Sequence, residues 1–289
     1  MKVSGFTFIR NAITYDYPIV EAIRSILPLC DEVVVAVGNS EDATLQLIQS
    51  IDPKVRIIET VWDDTVREGG RTLALETDKA YAAISKDSDW AFYIQGDEVL
   101  HEQYYPVIQA AMVNYKDNPS IDGLLFNYLH FYGSYDYVGS SISWYPDEIR
   151  IIRVRKDIFS YRDAQGFRKQ PNEKLNVKRI DAWMYHYGWV KPPEKMQLKQ
   201  ASFHKMWHDD EWVNEHVEQV AEFDYFKNIA ALKLFNGTHP AVMLPRIEQK
   251  NWSFNYDISF NREKKKDKLK RMIKRFFGWD IRYKNFRIV

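Results

Sequence analysis

Apolar and polar positions along the first hundred residues switch between two periods. "VSGFTFIRNA" begins with alternating and β-branched residues and predicts a strand ending near Arg10-Asn11. "YPIVEAIRSILPLC" follows, with Pro18 suited to a first helical turn and Ile19, Ala22, Ile23, Ile26 and Leu27 on one helical face. "DEVVVAVGNSEDAT" is a continuous apolar run broken at Gly38-Asn39-Ser40, the pattern of a strand buried on both faces of a parallel sheet. "EDATLQLIQSID" then predicts a helix and "KVRIIETVWDD" a third strand. "GGRTLALETDKAYAAISK" predicts another helix, with Leu73, Thr77, Ala80 and Ile84 on one face, and "WAFYIQ" a fourth strand. Strand–helix repetition up to Asp97 predicts an α/β domain with crossover helices.

Each strand ends in a polar cluster: Arg10-Asn11, Asn39 to Asp42, Trp62 to Asp64, and Asp97-Glu98. An unpaired buried carboxylate costs several kcal/mol, and open parallel sheets bind ligands at the carboxyl ends of their strands. The adjacent carboxylates Asp97 and Glu98 are therefore expected at the sheet's exposed mouth. After Pro106, "DGLLFNYLHFYGSYDYV" and "SWYPDEIRIIRVRKDIFSYRDAQGF" are rich in Tyr, Phe and β-branched residues and predict longer, partly antiparallel strands. Pro193 to Phe226 is more helical. No Gly/Ser-rich linker and no repeat marks an independent second domain.

The 289 residues, 45% hydrophobic and 15% aromatic, suffice for a sizeable core. A single cysteine, Cys30, excludes an internal disulfide and a cysteine-rich metal module, and it follows the helical pattern of Ile23, Ile26 and Leu27, so it is expected to pack. No apolar run reaches the ~20 residues of a membrane helix, and "MKVSGFTFIRNAITYDYP" lacks a secretory pattern. The expected location is a reducing cytoplasm, with the sequon "NGT" at Asn236 an accident. The net charge of zero hides an asymmetry: residues 262–289 hold 12 Lys/Arg and 3 Asp/Glu, a net of +9, against −9 for the rest. In that tail Leu269, Met272, Ile273, Phe276 and Phe277 recur at helical spacing. Such a basic amphipathic helix suits the anionic inner face of the cytoplasmic membrane, or equally docking on the acidic body. Nucleic acid is not expected, because the basic stretch is one helix on an acidic body.

"FIRNA", "VVVAVGNSEDAT", "GGRTLALETDKA" and "YIQGDEVL" together resemble an inverting family 2 glycosyltransferase of the GT-A type, over residues 1 to about 100. "DAQGFRK" and "YHYGWVKPPEKM" look like a bacterial subgroup of these transferases. The resemblance implies an α/β, GT-A (Rossmann-like) fold: a mostly parallel sheet, flanking helices and a C-terminal helical extension. It implies a transferase domain over 1–245, with a nucleotide-sugar half at 1–105 and an acceptor half at 106–245, and a basic amphipathic tail at 246–289. It further implies Mn2+ or Mg2+ held by the acidic motif against the diphosphate of a nucleotide-sugar donor.

Asp97 stands where that family's metal-binding carboxylate stands, and Gln95 replaces the motif's first Asp. His186 in "YHYGWV" would complete the metal shell, or else is a core histidine; neutral imidazole suits manganese better than magnesium. Arg71, after Gly69-Gly70 at a helix N-terminus, resembles the family's diphosphate-side cation. Asn39, Ser40 and Asp42 match its nucleotide-side turn, although Asp42 would equally cap the next helix. Thr7, Ile9 and Arg10 would line base and ribose, and Gln95 and Gly96 would join Asp97 on the donor. A general base must deprotonate the acceptor hydroxyl. Asp163 in "RDAQGFR" is the first candidate, with Glu173, Asp147 and Glu148 as competitors.

Tyr128, Phe131, Tyr132, Tyr135, Tyr137, Trp144 and Tyr145 would form either a sugar-binding wall or core. His204 and His208 have i, i+4 spacing, but Lys205, Met206 and Trp207 between them lack a zincin's glutamate. The expected acceptor is a glycan or lipid-linked hydroxyl in cell-surface polysaccharide or lipopolysaccharide assembly. Two rivals stand beside this reading. A sugar nucleotidyltransferase would want a glycine-rich first loop, which "FIRNAITYDYP" lacks. A degenerate GT-A protein that only binds nucleotide or carbohydrate is kept open by Gln95.

Overall fold

A computed structural model of the chain describes every residue except Glu68, Glu218, Gln219 and Asn228. The four expected strands are β1 (Val3–Ile9), β2 (Glu32–Gly38), β3 (Val55–Thr60) and β4 (Trp90–Tyr93), joined by α1 (Ile19–Ile26), α2 (Thr44–Gln49) and α3 (Arg71–Ala83). They lie side by side as β3-β2-β1-β4, all parallel, with Phe6 of β1 opposite Val34 of β2 and Tyr93 of β4. The valine run behaves as its pattern demands. Val33, Val35 and Val37 pack in one layer with Ile19, Ile23 and Ile26, while Val34 and Ala36 pack in the other with Ala80 and Tyr81. Each such buried side chain stabilises by about 1.5–3 kcal/mol. Cys30 is buried in the first of these layers, as its spacing implied.

Helix α3 buries the predicted face at Thr77, Ala80 and, just past its end, Ile84, and extends it on one side. Its buried positions are Thr72, Ala74, Glu76, Thr77, Ala80 and Tyr81, and Leu73 is only half-buried. Polar side chains are admitted because each finds a partner: the Thr60 hydroxyl donates to Glu76 at 2.6 Å, and Thr77 and Tyr93 hydroxyls meet at 3.3 Å.

The remaining elements are β5 (Glu98–Leu100), α4 (Tyr105–Tyr115), β6 (Gly123–Tyr132), β7 (Ser134–Gly139), β8 (Asp147–Arg153), β9 (Ile158–Tyr161), β10 (Gly166–Lys169), β11 (Glu173–Trp189), α5 (Pro193–Lys205), α6 (Asp210–His216), β12 (Leu232–Leu234), α7 (Leu244–Glu248), α8 (Lys265–Phe277) and β13 (Phe286–Ile288). The sheet continues β4-β8-β6-β11-β10-β9, with β8 antiparallel to both β4 and β6. Strand β11, 17 residues long, runs parallel to β6 from Val177 to Trp189, and its pairing slips between Arg179 and Trp183 and again between His186 and Trp189, which curls the sheet. A parallel strand–helix half continued by a largely antiparallel, aromatic half is a mixed α/β fold consistent with the GT-A arrangement. The helical reading of 193–226 holds in α5 and α6; Glu218 and Gln219 of that stretch lie outside the described residues. The tail does more than extend the chain: β13 returns to pair with β11 from Leu175 to Val177.

Candidate donor and metal site

Strand β4 ends at Tyr93, two residues before the predicted end, and Gln95-Gly96-Asp97 turns the chain into β5, antiparallel to β11. That turn sends the neighbouring carboxylates to different places. Glu98 goes inward, fully buried: Arg150 Nε and Nη2 donate to it at 2.8 and 2.7 Å, the Tyr128 hydroxyl at 2.7 Å, and the Gln95 backbone N–H at 3.1 Å. Its role is to hold the turn. Asp97 faces β11 and α5 instead. Its carbonyl accepts from the Tyr187 N–H at 2.8 Å, and its Oδ2 accepts from Lys199 Nζ at 3.0 Å. Burial would raise the Asp97 pKa, but Lys199, His186 and Lys191 together outweigh it and hold the carboxyl well below the usual carboxylate range. Lys199 also donates to the Gly188 carbonyl at 2.9 Å.

His186 brings its Nε2 to 3.7 Å from the other oxygen, Asp97 Oδ1, and hydrogen bonding fixes its proton. His130, opposite it on β6, has Nε2 at 2.7 Å from the Tyr145 carbonyl and Nδ1 at 3.1 Å from His186 Nδ1. A carbonyl only accepts, so His130 carries its proton on Nε2. Burial first, and His186 next, push the His130 pKa down to about 3, so the ring is neutral and its Nδ1 accepts. His186 must therefore donate from Nδ1. Burial lowers its pKa as well, which favours the neutral ring, whose Nε2 carries a lone pair. With the ring neutral, Oδ1 and Nε2 are two electron-pair donors that face each other.

A cation resolves that opposition, and the donor set fits one. Among the described residues no cluster of three or more His, Cys, Asp or Glu converges. A carboxylate and an imidazole nevertheless suit Mn2+ or Mg2+, which keep waters and substrate phosphate oxygens as their other ligands. An added Cβ at Gly188 would lie 2.6 Å from His186 Nε2 and 2.7 Å from Asp97 Oδ2, so any larger residue there would push these two side chains aside.

Several predicted donor residues lie at the carboxyl ends of the parallel strands or on the segments that follow them. Gln95 Nε2 donates to the Ala164 carbonyl at 3.2 Å, which ties the motif to the "RDAQGFR" loop. An aspartate there would have no proton to give, so the departure from the family motif has a job. Asp163 packs against Gly70, whose Cβ would fall 2.8 Å from it; with a φ of +70° this position needs glycine twice over. Burial raises the Asp163 pKa. Arg71 follows as the exposed first residue of α3. Arg10 donates to the Asn39 carbonyl at 3.1 Å and pairs with Asp64 at 2.7 Å above the Trp62 ring. Asn39 is exposed.

Other predicted residues are placed elsewhere. Thr7 and Ile9 are buried in β1, with Ile9 in the core under Gly96, so neither lines an open nucleotide cleft. Asp42 is a clamp: it accepts from the Thr14 N–H at 2.8 Å and the Thr44 N–H at 3.0 Å, the capping alternative rather than a ligand contact. Ser40 accepts from the Asn11 N–H at 3.0 Å. Glu173 is exposed where β11 begins, paired with Lys169 thirteen residues before His186, and is not brought to the site. Asp147 is held by Arg179. Glu148 is buried, and burial pushes its pKa up to about 8. The aromatic set divides. Tyr128, Phe131 and Tyr135 are core, whereas Tyr132 and Trp144 join Trp189, Gln200, His204 and Phe223 around a cavity of about 320 Å³. Trp144 stacks on His130 at 4.9 Å, so this cavity adjoins the metal pair.

His130 and Lys199 escaped sequence reasoning, whereas Trp62 was noted only as part of a strand-end cluster. His130 lies inside an aromatic strand pattern, and Lys199 is one of many lysines on a polar helix. Only the register of β6 against β11, and the packing of α5 on it, makes them neighbours of Asp97.

No protein-family model matches the chain, and no curated protein does. Among solved structures it is similar to S. aureus TarS, at 15% identity and TM-score 0.40, over 70% of this chain and 39% of that one. It is similar to TarS 1-349 in complex with UDP, at 12% identity and TM-score 0.42, over 76% and 68%. It is also similar to glucosyl-3-phosphoglycerate synthase from Mycobacterium tuberculosis in complex with Mn2+, UDP and glucosyl-3-phosphoglycerate, at 21% identity and TM-score 0.31, over 46% and 45%. The chain thus spans less than half the length of the full TarS chain and of the synthase. At these scores the likenesses are loose, and no role below rests on them.

Proposed function

We propose that this chain is a metal-dependent glycosyltransferase that moves a sugar from a nucleotide-diphospho-sugar to an acceptor hydroxyl with inversion. The observation that carries it is the opposition of Asp97 Oδ1 and His186 Nε2 at 3.7 Å, at the carboxyl end of β4. Asp97 and His186 would hold Mn2+ or Mg2+, which when bound offsets charge on a leaving diphosphate. The protein's own groups do the rest. Lys199 and Arg71 supply fixed positive charge around the departing group, and Gly69-Gly70 lets the backbone approach it. Arg10, Asn39 and the Trp62 ring border the nucleoside side. Asp163, whose carboxyl burial makes more basic, takes the acceptor's proton as the new glycosidic bond forms opposite the breaking one. The aromatic cavity beside Trp144 and Trp189 suits a saccharide acceptor, and the wider setting is cell-surface polysaccharide or lipopolysaccharide assembly.

A panel of UDP-, GDP- and dTDP-sugars, assayed for hydrolysis with and without Mn2+, tests the reading. Metal-dependent turnover of one donor, abolished in Asp97→Asn and His186→Phe, is expected. Turnover of a sugar phosphate with a nucleoside triphosphate would replace it with a nucleotidyltransferase. Donor binding with no turnover under any metal would leave a degenerate binding protein.

A further inference from the structure

Helix α8 is mounted the wrong way round for an ordinary surface helix. Amphipathic helices normally turn their apolar face to the core. Here Leu269, Met272, Phe276 and Phe277 are 58%, 54%, 72% and 66% exposed, and Trp279 just beyond is 68% exposed. No residue of the helix is buried. The contacts that attach it are made by its charged side: Arg271 pairs with buried Glu263 at 2.8 Å, and Lys274 with Asp280 at 3.2 Å. The flanking chain is fastened at both ends. Glu263 accepts from the Ile142 N–H at 3.2 Å, and Arg282 reaches the Trp144 carbonyl at 3.3 Å before β13 enters the sheet. Both ion-pair partners belong to the basic tail itself, so docking on the acidic body, which the charge asymmetry left open, leaves most of the helix's apolar surface uncovered.

We infer that this strap is an interface for an anionic lipid bilayer. The outward face carries two adjacent aromatics, Phe276 and Phe277, with Trp279 after them, the residue types that enter the boundary between headgroups and acyl chains. Lys265, Lys266, Lys268 and Arg275 carry positive charge on the same helix and have no ion pair among the described residues. An apolar face rimmed by unpaired cations matches anionic headgroups over acyl chains. A second copy of this chain would meet the same cations and be repelled by them. The inference stands apart from the transferase reading, since lipid binding needs neither donor nor metal.

Co-sedimentation of the full chain with phosphatidylcholine vesicles, with and without phosphatidylglycerol, tests it. Binding is expected only when phosphatidylglycerol is present. The double variant Phe276→Asp/Phe277→Asp should lose at least about tenfold in partitioning. Lys265→Gln, Lys266→Gln and Lys268→Gln should each lose about fivefold. All variants should keep the wild-type melting temperature and Mn2+ binding. Absence of vesicle binding by the folded wild type, or binding equal in both vesicle types, overturns the inference. So does a dimer mass in light scattering that the aromatic variant halves while vesicles stay unbound.

Discussion

Replacing His130 by Phe probes the proton assignment on which the metal site depends. Phenylalanine keeps a ring between Tyr128 and Trp144, which lie 5.6 and 4.9 Å from the imidazole centre. It removes two things: the acceptor for His186 Nδ1–H at 3.1 Å and the anchor on the Tyr145 carbonyl at 2.7 Å. With no partner for Nδ1, His186 is free to rotate or to place its proton on Nε2, where it would donate to Asp97 and close the site to a cation. Losing such a supporting hydrogen bond lowers metal affinity by about 10–100-fold, or about 1.4–2.7 kcal/mol. The stranded buried N–H costs a further ~1–3 kcal/mol of stability. Calorimetric titration with Mn2+ measures the first quantity, and 15N NMR of the imidazoles reports the tautomer directly in the metal-free protein. Wild-type Mn2+ affinity in His130→Phe, with His186 still protonated at Nδ1, would refute the relay from Tyr145 through His130.

Other substitutions test the surrounding groups. Glu98→Gln leaves the Arg150 guanidinium, 1% exposed, without a countercharge; urea unfolding should show a loss of ~3–5 kcal/mol, largely restored by the apolar pair Glu98→Met/Arg150→Met. If Glu98→Gln alone costs less than about 1 kcal/mol, the anchoring role assigned to that ion pair is wrong. Glu148 has its pKa raised from 4.5 to about 8, so the folded state holds a proton that the unfolded state releases. Stability should therefore be full below about pH 4.5 and fall as pH rises toward about 8. Glu148→Gln should flatten that slope in thermal melts, and an unchanged slope would sink the assignment. Asp163→Asn should cut transfer by ~10²–10⁴-fold while leaving donor affinity within a few-fold; equal loss of both would make it a donor contact. Gly188→Ala should abolish Mn2+ binding without unfolding the protein, since its Cβ would occupy the gap between Asp97 and His186.

Much of the donor half was legible because parallel strands write themselves plainly. The Val33–Val37 run, the Ile19–Ile26 face and the polar strand ends each report one local rule, and the sheet β3-β2-β1-β4 follows. The α3 face was legible at Thr77, Ala80 and Ile84, but buried Glu76 beside them rests on a hydrogen bond that apolar periodicity does not see. Within the site, Asp97 and His186 came from a motif resemblance, and β5 pairing with β11 is what sets them side by side. Glu98 looked like Asp97's twin, yet its partner Arg150 lies fifty-two residues on, a distance over which no spacing rule operates. His130 and Lys199 were hidden for the same reason: their roles depend on strand register and helix docking. Glu173 was misplaced because β11 is long, and one strand carries residues at its two ends to opposite edges of the molecule.

The most direct test is anomalous scattering at the manganese edge from a crystal soaked with Mn2+ and a nucleotide-sugar. The account predicts one peak in the gap between Asp97 and His186, with donor phosphate density beside it and Lys199 alongside. A manganese ion bound elsewhere, or an Asp97 that stays with Lys199 while the donor occupies a different cleft, would contradict it.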